Sequence, residues 1–455
     1  MGDRKPLAVP DRGPLDHAFP LLARAAAELG VRAWAVGGYV RDRLLGRDHR
    51  EIDVVVEDGR GPELASQFAQ LTGSPSPVVF ERFGTAQVMW GDRPIEFASA
   101  RAESYRDDSR KPDVQPAGID DDLRRRDFTV NALLMDFDGK VEDRLGTGLA
   151  DLEARILRTP LDPLATFTDD PLRMLRAVRF AAQLGFELDS LLLPAMRTLA
   201  DRLKPPVVSV ERISDELRKM LLSERPKKAL ELLDAGELLP GVLPELAACK
   251  GVQQGGYHTH DVYGHTLETV ERTPPDLVVR LAALFHDTGK PKTAAPDGSF
   301  LGHEKVGAEL VTAALGRLRF SNNVVERVAH LVRLHLRPVY YEPEWTDGAV
   351  RRLAREAGPD LGRLLQLAQA DIGASAYDKP EKLEELEGRL AAVLEESPSR
   401  LSSPVTGEDI MRARGLEPGP EVGKLKARLD ELVLEGAIEP ERDAVLRYLE
   451  AHPDI

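Results

Sequence analysis

Short apolar runs bounded by glycine, proline or charge occupy the first third of the chain, and longer amphipathic stretches occupy the rest. AWAVGG (33–38), IDVVV (52–56), TAQVMW (85–90), PIEFAS (94–99) and ALLMDF (132–137) read as strands. GPELASQFAQLTG (61–73) carries helical spacing and ends on Gly73, a candidate C-cap. After about Leu149 the strand signal stops. DDPLRMLRAVRFAAQLGF (169–186) and ERISDELRKMLLSERPKKALELLDAGELL (211–239) place apolar residues three and four apart, as amphipathic helices do. Helical character then continues to the C-terminus. Breaks near Pro240, Pro274–Pro275 and Ser397–Pro404 mark turns or boundaries. The pattern predicts an α/β head on a small sheet followed by a long helical body.

Composition narrows the class. A chain of 455 residues with 42% hydrophobic and 30% charged residues is globular and favours two or more domains. No apolar run approaches the length of a membrane span. The N-terminal stretch MGDRKPLAVPDRGPLDH lacks the apolar segment of a signal peptide. One cysteine, Cys249, excludes an intramolecular disulfide and a cysteine-rich zinc site. A cytoplasmic protein is expected. Net charge is −15 and the pI is near 5.3, which on average opposes nucleic-acid binding. Charge is local, however: Arg124, Arg125 and Arg126 are contiguous, and Arg173, Arg176 and Arg179 recur at helical spacing.

The head carries the candidate chemistry. Glu51 and Asp53 alternate along a strand and so project to one face. At an effective dielectric near 20, two such charges repel by about 4 kcal/mol at 4 Å. Either solvent screens them at an exposed strand end, or a divalent cation offsets the repulsion; Mg²⁺ suits oxygen ligands and substrate phosphates. Upstream, GGYVRD joins a strand to an expected helix over YVRDRLLG (39–46). Gly37 and Gly38 let backbone N–H groups approach a phosphate, with Arg41 beside them; the alternative is an ordinary tight turn. Glu96 lies on another strand and is either a third metal-site acid or a sheet-edge charge.

In DLRRRDFTVNALLMD, Arg126 suits a triphosphate, and Asp127 and Asn131, four apart, suit a sugar or a loop; the alternative is a solvated arginine-rich turn. Asp169 and Asp170 suit the N-terminal end of the following helix, with Pro171 in its first turn. Asp170 and Arg173 share a face and are either a local ion pair or an acceptor–donor edge that matches a base. Arg176 and Arg179 continue that face.

GGYVRD with EIDVVV, RRDFTVNA, DDPLRMLRAVRFAAQLGF and ERISDEL, in this order, resemble the motifs of class II CCA-adding enzymes, tRNA nucleotidyltransferases of the polymerase-β superfamily close to bacterial poly(A) polymerases. SRKPDV, HDVYGHTL, LFHDTGKP and GLEPGPEVGKL resemble the version with an HD-type body, so the likeness runs through nearly the whole chain. The resemblance implies an α+β fold: a polymerase-β-type nucleotidyltransferase head with a mixed sheet over 1–150, then an elongated all-helical neck over 151–230, an HD body over 231–395 and a helical tail over 396–455. It implies template-independent addition or repair of the tRNA 3′-terminal CCA from CTP and ATP. Poly(A) addition and partial CC or A addition are the sibling alternatives. Glu51 and Asp53, with Glu96, form the implied catalytic Mg²⁺ site. Gly37, Gly38, Arg41, Arg126, Asp127 and Asn131 are the implied nucleotide-binding residues. Asp170 and Arg173 read the base, beside Arg176 and Arg179. The segment 101–123 is expected to influence nucleotide choice. Two positions depart from the family pattern: Glu51 stands where an aspartate is usual, and Asp169 where a glutamate is usual.

A second set lies in the body. His265, adjacent His286 and Asp287, and Asp371 combine imidazole and carboxylate groups that suit a divalent metal. They resemble an HD phosphohydrolase core, which implies hydrolysis of 2′,3′-cyclic or 2′ phosphates. The alternatives are structural histidines and a body that serves only as a tRNA platform. An HD phosphohydrolase whose head only binds RNA is a further alternative. His260–Asp261 reads as structural, and His303, His330 and His335 are further ligands or ordinary surface residues. The tail reads as a Gly/Pro turn and an amphipathic helix, with the tRNA elbow as its implied partner. No membrane and no obligate protein partner is expected.

Overall fold

The computed structural model describes residues 17–48, 51–81, 84–104, 113–116, 118–255, 260–375, 380–396 and 401–455. By its internal packing the chain divides into two compact units, 1–220 with 231–241, and 221–230 with 242–455.

The first unit holds α1 (Phe19–Leu29), β1 (Ala33–Val36), α2 (Gly38–Leu44), β2 (Ile52–Val56), α3 (Gly61–Thr72), β3 (Val78–Phe80), β4 (Thr85–Trp90), β5 (Arg93–Ser99), β6 (Arg101–Ser104), β7 (Asp113–Pro116), α4 (Ile119–Arg124), β8 (Leu134–Met135), β9 (Val141–Glu142), α5 (Gly148–Ala154), β10 (Ile156–Leu157), α6 (Pro163–Asp169), α7 (Leu172–Leu184), β11 (Glu187–Leu188), α8 (Leu192–Leu199) and α9 (Val210–Leu221). Seven strands form one mixed sheet in the order β3-β4-β5-β2-β1-β8-β9. β2 lies antiparallel to β1 and parallel to β5. Central β2 is buried on both faces except at Asp53, and this is why its sequence is nearly continuous valine rather than an alternating pattern.

One sheet face packs Trp34, Val36, Val55 and Leu134 against Ile119 and Leu123 of α4. On α3, Phe68 meets Trp90 at 5.6 Å and Phe97 at 5.8 Å between ring centroids. α3 ends where the sequence indicates, with Gly73 in the left-handed region at φ 67°. The strand signal does not end at Leu149, as the pattern suggests: two-residue β10 and β11 pair in parallel across the ends of α5 and α7. Pieces this short have no period of their own, because their hydrogen bonds are set by the helices they join.

The rest is helical: α10 (Pro226–Ala235), α11 (Leu239–Val242), α12 (Pro244–Ala247), α13 (Val262–Arg272), α14 (Leu277–Phe285), α15 (Lys290–Thr293), α16 (His303–Arg317), α17 (Asn322–Leu334), α18 (Leu336–Val339), α19 (Asp347–Ala357), α20 (Leu361–Ala374), α21 (Pro380–Glu396), α22 (Gly407–Arg414), α23 (Pro420–Leu434) and α24 (Arg442–Ala451). α14 is apolar nearly all round, as befits the buried centre of the second unit. α22–α24 share a core of their own through Ile410, Leu429, Val433, Val445 and Leu449. Thr406 and Asp409 form a reciprocal capping box at the start of α22. Among the described residues, no helix is long and apolar enough to cross a membrane.

Candidate functional site

Gly37, Asp53 and Arg126 meet at one point of the head. Gly37 has φ 76° and ψ −135°, a conformation that disfavours any side chain. A Cβ there would lie 3.3 Å from both Arg126 Nη1 and Asp53 Oδ2. The space between strand, turn and guanidinium is therefore kept open by the absence of a side chain. In the parallel register Asp53 stands opposite Glu96, so the two share a sheet face. Glu51 is exposed and precedes β2.

Burial raises the Asp53 carboxyl to about 6, with Arg126 opposing, Glu96 and then Glu51 adding to the rise, and Arg41 opposing. A desolvated carboxyl beside two others is a place where positive charge is favoured, and its hard oxygen donors suit Mg²⁺. The three carboxylates do not form a tight cluster. Among the described residues, the groups of three whose ligand atoms lie within 4.8 Å of one another are both in the second unit. A magnesium ion held by one or two carboxylates keeps waters and substrate phosphates as its other ligands, so the head fits that mode rather than an all-protein cage.

The arginines are held by partners both near and far in sequence. Asp122 is buried and receives Arg126 Nη2 at 3.0 Å and Arg125 Nη2 at 2.5 Å. Burial opposes its charge, and Arg126 and Arg125 outweigh burial, so its carboxyl lies below the ordinary range. Arg124 pairs with Asp121 at 3.3 Å, so the arginine run is a set of paired side chains rather than a bare cationic patch. Buried Arg41 donates to Asn131 Oδ1 at 2.6 Å and grips Asp42 through Nε and Nη2. Asn131 Nδ2 donates to Asp127 Oδ1 at 2.9 Å, and Arg176 Nε donates to Asp127 Oδ2 at 2.8 Å. Asp127 thus ties the loop after α4 to α7. Three guanidinium groups, those of Arg179, Arg41 and Arg176, gather over the Phe180 ring at 4.0, 4.9 and 5.5 Å.

Burial would raise the Asp127 carboxyl, but Arg176 and Asn131 outweigh it and hold it down at about 2. A depressed carboxylate stabilises the fold above its unfolded value of 3.8 and loses that contribution as pH falls through about 2. Asp127→Asn is expected to cost about 2 kcal/mol at pH 7, since each tenfold difference in proton affinity between folded and unfolded chain corresponds to about 1.4 kcal/mol. The gap between variant and parent should shrink between roughly pH 4 and pH 2. Chemical denaturation across that range checks this, and a gap independent of pH would contradict it.

Asp169 ends α6 rather than capping α7, and Asp170 is extended between the two helices at φ −139° and ψ 98°. Its Oδ1 accepts from Leu172 N at 3.2 Å and its Oδ2 from Arg212 Nη2 at 2.9 Å. Arg173 donates to the carbonyl oxygens of Arg125 at 2.6 Å and Thr166 at 3.4 Å. Asp170 and Arg173 are thus bonded to other elements, and Arg173 ties the start of α7 to the arginine run. Arg179 Nε donates to buried Glu216 on α9 at 2.6 Å. Of the segment 101–123, expected to influence nucleotide choice, residues 105–112 and 117 lie outside the described residues, as does most of SRKPDV.

In the second unit, His265 on α13, His286 and Asp287 after α14, and Asp371 on α20 converge. His265 Nε2 lies 2.9 Å from Asp371 Oδ1 and 3.3 Å from His286 Nε2. His286 Nε2 is 3.2 Å from Asp287 Oδ2. The other Asp287 oxygen lies 3.4 Å from His303 Nε2, which is 3.4 Å from His335 Nε2. Asp287 is therefore shared by two groups of ligand atoms, His265–His286–Asp287 and Asp287–His303–His335. Nδ1 of His286, His303 and His335 sits 2.8, 2.8 and 2.6 Å from the backbone oxygens of Ala283, Phe300 and Val332. Those bonds aim each Nε2 at the centre, as in metal sites. His303 and His335 are buried members of the cluster and not surface residues; His330 instead bonds the Glu356 carbonyl.

Burial disfavours charge on His286, yet Asp287 and then Asp371 outweigh it and lift the imidazole to about 9. His335 is pushed down to about 4 by burial and by His286. The carboxylates thus favour positive charge at this point, and a divalent cation fits the same field and the same donors. Lys290 Nζ donates to Asp287 Oδ2 at 2.7 Å and to Gln254 Oε1 at 2.5 Å. A cavity of 820 Å³ opens from Asp287, His303, His335 and Asp371 toward Lys290 and Tyr340, which is large enough for a nucleotide. His260–Asp261 is structural in its acid: Asp261 caps α13 through Gly264 N at 2.8 Å.

The residues that local reading overlooks are Asp122, Phe180, Arg212 and Glu216. Weak signals exist for three of them. Asp122 stands four before Arg126, and ERISDEL sets Arg212 and Glu216 one helical turn apart.

Comparison with known proteins gives a consistent answer. Residues 33–158 match a model described as the poly A polymerase head domain, 185–250 the probable RNA and SrmB-binding site of polymerase A, and 256–371 the HD domain. An A-adding tRNA nucleotidyltransferase of Deinococcus radiodurans is 34% identical, over 92% of this chain and 96% of its own length. A CC-adding tRNA nucleotidyltransferase of Thermus thermophilus is 37% identical, over 90% and 92%. In fold, the chain is similar to the crystal structure of the Bacillus stearothermophilus CCA-adding enzyme in complex with CTP, with a TM-score of 0.71, 24% identity and 97% and 98% of the two chains covered.

Proposed function

The chain belongs to the tRNA nucleotidyltransferase family, and from that premise we propose that it adds or repairs the 3′-terminal CCA of tRNA, using CTP and ATP. It is an enzyme, a polymerase-type head followed by a helical HD body. The observation that carries the reading is the open point where Gly37, Asp53 and Arg126 meet, linked through Arg125 to Arg173 and the α6–α7 junction.

The tRNA 3′-hydroxyl attacks the nucleotide α-phosphate in line, and pyrophosphate leaves. The Gly37–Gly38 backbone and the guanidinium groups of Arg126 and Arg41 receive the triphosphate. Asp170 accepts from the exocyclic amine that cytosine and adenine share, and Arg173 donates to the base beside it. This protein edge replaces a templating base. Asp53 and Glu51, with Glu96 alongside, would hold magnesium, which would supply charge stabilisation to the phosphoryl transfer. Asp127, Asn131, Arg176 and Arg179 hold the loop and α7 in register around the nucleotide. We assign the head to 1–150, the neck to 151–230, the body to 231–395 and the tail to 396–455, the last toward the tRNA elbow, in a cytoplasmic enzyme.

Incorporation of each nucleotide alone into a tRNA transcript lacking CCA tests base reading. CTP is expected to be used and UTP to be rejected; equal use of the two contradicts the assignment of Asp170 and Arg173. A second reading, addition of CC or of A only, draws on the names of the two relatives.

For the body, the shared Asp287 and the adjoining cavity support a divalent-metal phosphohydrolase acting on 2′,3′-cyclic or 2′ phosphates. Asp287→Ala should abolish hydrolysis of 2′,3′-cyclic AMP and leave tRNA extension intact. Hydrolysis that persists in this variant refutes the site, and loss of extension instead makes the body the reacting centre.

A further inference from the structure

We propose that Arg212 is a positioning residue for nucleotide selection, one that fixes the plane of the Asp170 carboxylate. The inference rests on the reading of Asp170 as the base acceptor. An aspartate has little intrinsic preference about its last torsion, so its two oxygens point where their partners hold them. Here the partners come from two different elements. Leu172 N–H, at the start of α7, takes Oδ1 at 3.2 Å, and Arg212 on α9 takes Oδ2 at 2.9 Å. Each oxygen keeps a further lone pair, and those lone pairs now have a set direction.

Two ion pairs that join α9 to this region divide the work. Arg179–Glu216 is buried, its side chains 10% and 4% exposed, and it anchors α9 against α7. One turn away, the Arg212 side chain is 51% exposed and that of Asp170 is 20% exposed. An ion pair that open to solvent contributes little to folding. What it does supply is orientation, with the Glu216 anchor fixing the point from which Arg212 reaches. Cytosine and adenine offer an amine at the edge where uracil and guanine offer a carbonyl. A carboxylate held in one plane accepts the first pair and repels the second. One that can rotate finds compromises with all four.

Steady-state kcat and KM on full-length enzyme test this, with CTP and UTP on a tRNA lacking CCA, and ATP and GTP on a tRNA ending in CC. Arg212→Ala is expected to narrow the CTP-over-UTP and ATP-over-GTP ratios by about tenfold or more, mainly through KM. Arg212→Lys, which keeps a charged donor, should recover most of the loss. If Asp170→Asn collapses the ratios while Arg212→Ala leaves them unchanged, or slows all nucleotides alike, Arg212 does not position the reader and base reading by Asp170 stands. If Asp170→Asn also leaves the ratios unchanged, the base-reading assignment itself fails and the inference falls with it.

Discussion

Asp53→Ala should lose nucleotide incorporation by more than about 100-fold, the upper end of what disturbing even the outer shell of a metal site costs. The fold should survive, because burial and the neighbouring Glu96 and Glu51 already disfavour a charge on Asp53, lifting its carboxyl to about 6. Removing a half-buried group whose charge is disfavoured costs the protein little, while removing a metal ligand costs the reaction its charge stabilisation. Glu51→Asp, in contrast, should remain active. Glu51 is exposed and lies before β2, so one methylene less alters its reach and not its charge. Single-turnover incorporation alongside thermal melting separates these effects. An active Asp53→Ala enzyme would sink the assignment of Asp53 to the metal site.

Gly289→Ala should be the most damaging single-carbon change in the second unit. A Cβ at Gly289 would lie 2.1 Å from the His303 carbonyl oxygen and 2.8 Å from the Gly307 nitrogen. Both are backbone atoms of α16, and that helix also delivers His303 to Asp287. The backbone must move to admit the methyl group, and overpacking of this kind costs about 1–3 kcal/mol, occasionally more. His303 moves with it. A lower melting temperature and loss of any 2′,3′-cyclic phosphate hydrolysis are expected together. Unchanged melting would mean that α16 does not approach Gly289 so closely.

How much of this was legible in sequence depended on how local each feature is. β1, β2, β4 and β5 follow from their apolar runs, and α3 from its spacing and Gly73. The shared face of Asp53 and Glu96 does not, because a register between strands forty residues apart leaves no mark on either one. Asp170 and Arg173 look like helical neighbours, yet Asp170 sits outside the helix in an extended conformation and bonds to α9. Arg176 and Arg179 read as a cationic stripe, but their partners, Asp127 and Glu216, lie 49 and 37 residues away. His303 and His335 carry no signature of their own and join the cluster only because α16 and α17 bring them to Asp287. Asp122 was hidden in an acidic run that looks solvated, although it is buried beneath two arginines.

The most direct measurement is the sequence of the 3′ ends formed when purified protein, Mg²⁺, CTP and ATP are incubated with a tRNA lacking CCA. Ends that gain C, C and A and then stop are the result this account predicts. Long A tails, or ends that stop at CC, would contradict the CCA assignment and place the enzyme in a sibling specificity. No addition at all would contradict the role given to the head.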